Sequence, residues 1–405
     1  MAKKLVSVWL SLTILLFSSI SIYAGDTVRG QFFLKNISIN GTQIFNYELN
    51  NPLFTYKGAT YVPLACGMKK ALGIEAEMDW ESRTLKLWNS KPAQKGARDG
   101  KLQSNLQDVT AEIASGITVI AYEPTEKKVA VTTEGGVEET EADAAAEDFG
   151  EGRADPEPEP KAQAAEAETE GDAVQEEVDE IVVPELQATK LNLGELPLLV
   201  KGDIVYFPIK VLTQNKQFGW SLYYDEYSGL YIRTDGDVDA KSDFNELQSR
   251  YIRGLVNYIR KHNSSQSISQ AQDLVAIFQH EARVYNVDHT LLMAMAQKES
   301  GFNAKARGGG GSLGMMQILP STAKAYGISP KQLYDPHVNI AFGAKYIKDR
   351  LDMFGGNAVK ALSAYNQGVV AVSRGTNSTR YAGRILAAQK TLKEFLAENG
   401  YGKGY

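Results

Sequence analysis

Glu299 is the residue of this chain best suited to move a proton. Apolar spacing predicts a helix beginning near Asp288, with Leu292, Met295 and Ala296 along one face. Glu299 follows four positions after Met295 and three after Ala296, so a carboxylate falls on the apolar stripe. Gly301 comes two residues later, where a helix can end. Partial desolvation disfavours the charged form, raises the pKa and keeps the proton in place, as a general acid requires. A lone glutamate at a helix end is nevertheless more often solvated or ion-paired, and its neighbourhood has to decide. Competing chemistries are poorly served. His280-Glu281 opens like a zinc-protease helix, but Val284 stands where the second histidine is needed. His262, His289 and His337 are scattered, and no Gly-x-Ser-x-Gly or cysteine nucleophile arrangement is present. The run Gly308 to Gly311 lacks the Lys-Ser or Lys-Thr of a phosphate loop. No metal or other cofactor is expected.

The neighbourhood of Glu299 is specific. Glu299-Ser300-Gly301-Phe302 is followed by Gly314-Met315-Met316-Gln317-Ile318-Leu319-Pro320. Then come Asn339-Ile340, Gly343, Tyr346, Ala364-Tyr365-Asn366-Gln367-Gly368 and Tyr381. In this order the motifs closely resemble the soluble lytic transglycosylases, whose lysozyme-like catalytic domain cuts peptidoglycan between N-acetylmuramic acid and N-acetylglucosamine. The resemblance runs from Ala271 to Lys390. It implies that Glu299 is the catalytic acid and base, that Gln317 with Met316 binds substrate, that Tyr365 and Asn366 line the groove, and that Tyr381 faces the glutamate. Amides and a phenol suit hydrogen bonding to sugar N-acetyl and hydroxyl groups. Two positions depart from the family pattern. Met315 replaces leucine, a volume-conserving swap. Gly308 stands where the family usually has serine, which leaves Ser312 or water to supply a hydroxyl near the site.

Ordinary glycosidases use two carboxylates; in the family resembled here one suffices, and the expected product is a 1,6-anhydro-muramic acid end. A hydrolytic muramidase on the same fold is the rival enzyme. A non-catalytic wall-binding envelope protein is the rival from another class.

The elements that must carry these residues are of two kinds. Lys3 and Lys4, an apolar run from Leu5 to Ile22 and Tyr23-Ala24-Gly25 read as a secretory signal over 1–24, although the run also approaches the length of an uncleaved membrane anchor. Residues 134–180 hold 19 Asp and Glu against Arg153 and Lys161, a composition that cannot bury a core and reads as an extended acidic linker. The whole chain carries −6, yet residues 264–405 alone carry +7, which suits an anionic wall polymer outside the cell. Nucleic acid, the other polyanion, is disfavoured by export and by the lack of an RNA-binding signature. The single cysteine, Cys66, excludes an intrachain disulfide.

Two stretches flank the acidic segment and echo each other. Lys57-Gly58, Tyr61-Val62-Pro63, Gly73, Trp80-Glu81 and Leu85-Lys86-Leu87 recur as Lys201-Gly202, Tyr206-Phe207-Pro208, Gly219, Tyr224-Asp225 and Leu230-Tyr231-Ile232. Both resemble the copper amine oxidase N-terminal domain, a small β-rich stalk module of exported bacterial proteins. No copper follows, since neither copy contains histidine. Their aromatic residues either fill a core or stack on sugars. The expected architecture is α+β and multidomain: β-rich modules over 30–133 and 181–236, a connecting helix over 243–263, and an all-α lysozyme-like catalytic domain over 264–395, separable as a fragment from Ser264. The expected partner is peptidoglycan glycan strands, and the expected location is extracellular or wall-bound, with the periplasm left open.

Overall fold

Lys57 and Gly58, both at positive φ (49° and 73°), make the two-residue turn between strands Phe54–Tyr56 and Ala59–Pro63. Such turns match the natural twist of paired strands. The device recurs at Gly202-Asp203, between Leu198–Lys201 and Ile204–Pro208. Each hairpin then enters a short helix, α1 (Cys66–Leu72) or α2 (Ile209–Gln214). The computed structural model describes residues 26–92, 108–131, 179–214, 218–236 and 238–402. The signal at 1–24 and the acidic segment as far as residue 178 lie outside them. By contact, Met1–Glu123 with Ala188–Tyr405 form one unit and Pro124–Gln187 a second, whose described residues are extended strand.

The two echoing stretches do not fold as two modules. Their hairpins pair with each other antiparallel, Tyr61 opposite Pro208, Val62 opposite Phe207 and Pro63 opposite Tyr206, so the matching Tyr-x-Pro segments meet about a local twofold. A closed barrel results, in the order Thr27–Phe32, Phe54–Tyr56, Ala59–Pro63, Ile204–Pro208, Leu198–Lys201 and Val109–Ala114. Exchange also builds a sheet in which Gly229–Arg233 runs parallel to Ile37–Ile39. The separate boundaries 30–133 and 181–236 therefore give way to one β region, because strand edges left open by each copy are closed by the other. The paired tyrosines of the two repeats are core, whereas Tyr224 is half exposed. Tyr61 and Tyr206 are fully buried, and Phe54 packs on both at ring distances of 5.6 and 4.8 Å. Gly30 makes room for this: a Cβ there would lie 2.1 Å from the Phe54 ring.

The C-terminal region is helical: α3 (Glu246–His262), α4 (Ile268–Tyr285), α5 (His289–Ser300), α6 (Pro320–Lys324), α7 (Pro336–Met353), α8 (Ala358–Gln367), α9 (Val369–Ser373) and α10 (Arg380–Glu398). The chain is thus α+β, β-rich before α3 and helical after. Among the described residues no helix is long and apolar enough to cross a membrane. Helix α3 is more than a connector. Tyr251, Ile252, Leu255, Val256, Tyr258 and Ile259 are buried in the same core as α4, α5 and α10, and the Tyr258 hydroxyl donates to Gln297 Oε1 at 2.9 Å. The serine-rich boundary is a helix start, where Ser267 and Gln270 form a reciprocal capping box. Nearby, Asn263 and Gln266 donate to the carbonyl of Phe302, which sits at φ 60° directly after α5.

The β region seats against α3 and α4. Phe32, Leu34, Tyr47 and Tyr227 pack on the helical core, the Tyr47 ring lies 4.1 Å from the His280 ring, and Arg283 stands 4.9 Å over Phe45. Beneath this seam His280 Nδ1 and Glu281 Oε1 are 2.9 Å apart, and Glu281 is fully buried. Burial pushes its carboxyl up to about 9 from an ordinary 4.5. The folded state therefore holds a proton that the unfolded chain releases, so stability falls as pH rises from about 4.5 towards about 9. Glu281→Gln keeps the volume without the charge and is expected to flatten this slope, raising Tm at about pH 8 but little at about pH 5. Equal pH slopes for the two proteins in thermal melts would contradict the assignment.

Candidate active site

Helix α5 is capped at its start by Asp288, whose side chain accepts from Thr290 N, and at its end by Gly301 in the left-handed region at φ 61°. Residues Leu291 to Ala296 are buried all round the helix, and burial relaxes only in the last turn, where Glu299 emerges half-buried. The next residue locks that turn. Ser300 Oγ lies 2.7 Å from the Met315 carbonyl as donor, and accepts from Asn303 N at 3.1 Å. The glutamate is thereby tied to the loop carrying Gln317.

The Tyr381 hydroxyl, from the first turn of α10, donates to Glu299 Oε1 at 2.5 Å. Burial raises the Glu299 carboxyl above the ordinary glutamate range; the Tyr381 hydrogen bond and the positive charge of Arg384 pull it partly back. Burial, together with the neighbouring carboxylate, drives the Tyr381 hydroxyl far above the tyrosine range, so it remains a donor. Tyr365, near the end of α8, is shifted upward by burial and by Glu299, and donates to the Met316 carbonyl at 3.1 Å. Its ring meets Tyr346 of α7 at 5.3 Å, and the Arg350 guanidinium lies 3.4 Å over Tyr346.

The loop after Gly301 is a small irregular hairpin with bridges Arg307 to Leu313 and Leu313 to Ile318. Gln317 sits at φ 51°, its Oε1 accepting from Ser312 Oγ at 2.7 Å and its Nε2 donating to the Gly314 carbonyl at 3.0 Å. Buried Asn339 holds the loop down: it accepts from Met316 N at 2.7 Å and donates to the carbonyls of Leu313 and Leu333 at 3.0 and 2.8 Å. Gly314 is glycine for this contact, since its φ is 78° and a Cβ would come within 2.3 Å of Asn339 Nδ2.

Of the residues singled out from sequence, Glu299 and Tyr381 are directly bonded, Tyr365 stands within electrostatic reach of the glutamate, and Gln317 and Ser312 form a second bonded pair. Met316 is fully buried against Gly343, so its side chain packs while its carbonyl accepts from Tyr365. Asn366 is exposed beyond Tyr365, and no hydrogen bond among the described residues draws its side chain into the group. Arg384 escaped the sequence reading. Its one signal is the spacing of three from Tyr381, which puts both on one face of α10.

The family model described as "Transglycosylase SLT domain" matches residues 276–386. The invasion protein IagB of Salmonella typhi is 36% identical over 124 residues, which cover 29% of this chain and 76% of that protein. The chain belongs to the transglycosylase SLT domain family. A transglycosylase of Enterobacteria phage PRD1 is 35% identical over 102 residues, 25% of this chain and 37% of the phage protein, so the chain spans little more than a third of that relative. Among solved structures, an inactive mutant of the lytic transglycosylase Slt from Pseudomonas aeruginosa aligns with 22% identity and a TM-score of 0.28, covering 40% of this chain and 33% of that one. The match to the family lies wholly within the helical region. Glu299, Gln317, Tyr365 and Tyr381 all fall inside it.

Proposed function

We propose that this chain is an exported peptidoglycan lytic transglycosylase, with Glu299 as its acid and base. The observation that carries the reading is the half-buried Glu299, its pKa raised, bonded to Tyr381 and tied through Ser300 to the loop of Gln317. Protonated Glu299 gives its proton to the glycosidic oxygen as the bond from the muramic acid anomeric carbon breaks. The substrate's N-acetyl group supports the developing positive charge. The Glu299 carboxylate then takes the proton of the muramic acid 6-hydroxyl, whose oxygen attacks the anomeric carbon. Glu299 ends protonated, and no water is consumed.

One carboxylate is enough for this cycle. The charge that acts on Glu299 is the cation Arg384, which pulls its raised pKa partly back. The basic balance of residues 264–405 supports an anionic wall as partner, and the β region, with its resemblance to exported stalk modules, is read as the part that holds the enzyme at the wall. An uncleaved 1–24 would anchor it to the membrane.

Mass spectrometry of fragments released from purified peptidoglycan tests the chemistry. The expected species end in 1,6-anhydro-muramic acid, lighter by one water than a hydrolysis product, because an intramolecular hydroxyl has the advantage of proximity over solvent. Fragments wholly reducible by borohydride would leave Glu299 as the acid of a muramidase and end the transglycosylase reading. Binding to walls with no fragments released would make the chain a wall-binding protein.

A further inference from the structure

The glycines of the Gln317 loop are glycine for different reasons. Gly311 has φ 81° and makes the turn, and at Gly309 and Gly310 a Cβ would meet nothing within 4 Å. Gly308 is different. Its φ is not in the left-handed region, yet a Cβ there would lie 2.3 Å from Ser312 Oγ and 2.5 Å from Gln317 Oε1. A side chain at 308 would have to displace the Ser312–Gln317 hydrogen bond.

The Gly314 carbonyl sets which atoms of Gln317 face outward, and the Ser312 bond holds the amide there. The Gly314 carbonyl can only accept, so it requires Nε2 on its side of the amide; Ser312 Oγ donates to Oε1 on the other. Held at both ends, the amide has one orientation and keeps one N–H and one oxygen lone pair unspent. We infer that Ser312 is a positioning residue that fixes the Gln317 amide for a sugar N-acetyl group, and that Gly308 is the space this serine needs. The inference rests on the proposed reading of Gln317 as substrate-binding. It also explains why glycine at 308 is no sign of decay: the hydroxyl that position 308 lacks enters from position 312, across the hairpin where Gly308 N donates to the Ser312 carbonyl at 2.9 Å.

The test is a double-variant cycle in the full chain, read by turnover on isolated glycan strands and by the side-chain amide resonances of Gln317. Ser312→Ala frees the Oε1 end of the amide, leaving Nε2 on the Gly314 carbonyl, and is expected to raise KM about tenfold with little change in kcat, the usual cost of one polar contact held by a well-placed group. Its Gln317 amide resonances are expected to collapse towards solvent-like positions. Gly308→Ser alone crowds Ser312 and is expected to lose binding as well. Gly308→Ser with Ser312→Ala removes the clash with Ser312 Oγ and, once the end of the Gln317 side chain gives way, puts a hydroxyl beside Oε1 from the other side, so it is expected to recover part of the lost KM and of the amide dispersion. A purely structural serine would show losses that add. The inference falls if Ser312→Ala leaves the Gln317 resonances unmoved, or if the double variant is no better than either single one. Should the wild-type chain release no fragments, the proposed activity fails by itself, and the resonances still decide whether Ser312 positions Gln317.

Discussion

Glu299→Gln is expected to abolish wall lysis while leaving the fold intact, a loss of about a hundred- to ten-thousand-fold for removal of a general acid. The amide keeps the volume, and its oxygen still accepts the Tyr381 hydroxyl where Oε1 now does. It has no proton to give and cannot take one. Because burial already raises the Glu299 carboxyl, the substitution removes a charge that the site disfavours, so Tm should hold or rise above neutral pH. The wild-type enzyme should lose activity as pH rises through that raised pKa, since the acid is then ionised before substrate arrives. Zymography on purified walls, with circular dichroism for folding, reads both. Near-normal lysis by a folded Glu299→Gln protein would remove the residue from the mechanism.

The candidate site was legible where its chemistry is carried by local motifs. Glu299 lies on a helical stripe that ends at Gly301, and Gln317 and Tyr365 lie in short motifs with distinctive neighbours, so type and spacing pointed to each. Long-range partners left weaker traces. Asn339 holds the Gln317 loop through three hydrogen bonds to residues 6 to 26 positions away, and nothing in its own neighbourhood announces that role. The motif around Met316 does not reveal that its side chain packs on Gly343 while its carbonyl accepts from Tyr365. Gly308 looked like a missing hydroxyl; only the distances to Ser312 and Gln317 reveal it as space for one.

Fold legibility divides in the same way. A hairpin turn such as Lys57-Gly58 leaves a local trace in its glycine, which positive φ favours. The pairing of Tyr61-Val62-Pro63 with Tyr206-Phe207-Pro208 does not, since it joins strands more than 140 positions apart on either side of the acidic segment. Two similar stretches were read as two modules because a local pattern records which edge is apolar and not which copy closes it.

The same limit sets the smallest catalytic fragment. From sequence, Ser264 marked a clean start; in the structure the preceding helix α3 supplies six buried apolar or aromatic side chains, from Tyr251 to Ile259, to the catalytic core. At about 1.5–3 kcal/mol each, their loss is of order 10 kcal/mol. That is comparable to the whole stability of a typical domain, about 5–15 kcal/mol. The contact is also close. A Cβ at Gly254 would lie 2.6 Å from Tyr401 Cβ, and Asn257 Nδ2 donates to the Tyr401 hydroxyl at 2.9 Å. Tyr258 bonds Gln297, two residues before Glu299 on α5, and Asn263 donates to the carbonyl of Phe302 just beyond it. A fragment starting at Ser264 is therefore expected to be unfolded or molten and inactive. One starting at Asp239, which retains all of α3 and its Asn245 cap, is expected to fold cooperatively and cleave isolated glycan strands. Denaturant melts of the two fragments, followed by strand cleavage, decide the matter. A cooperative, active 264–405 fragment would show that α3 is dispensable and that its buried face is an interface rather than core.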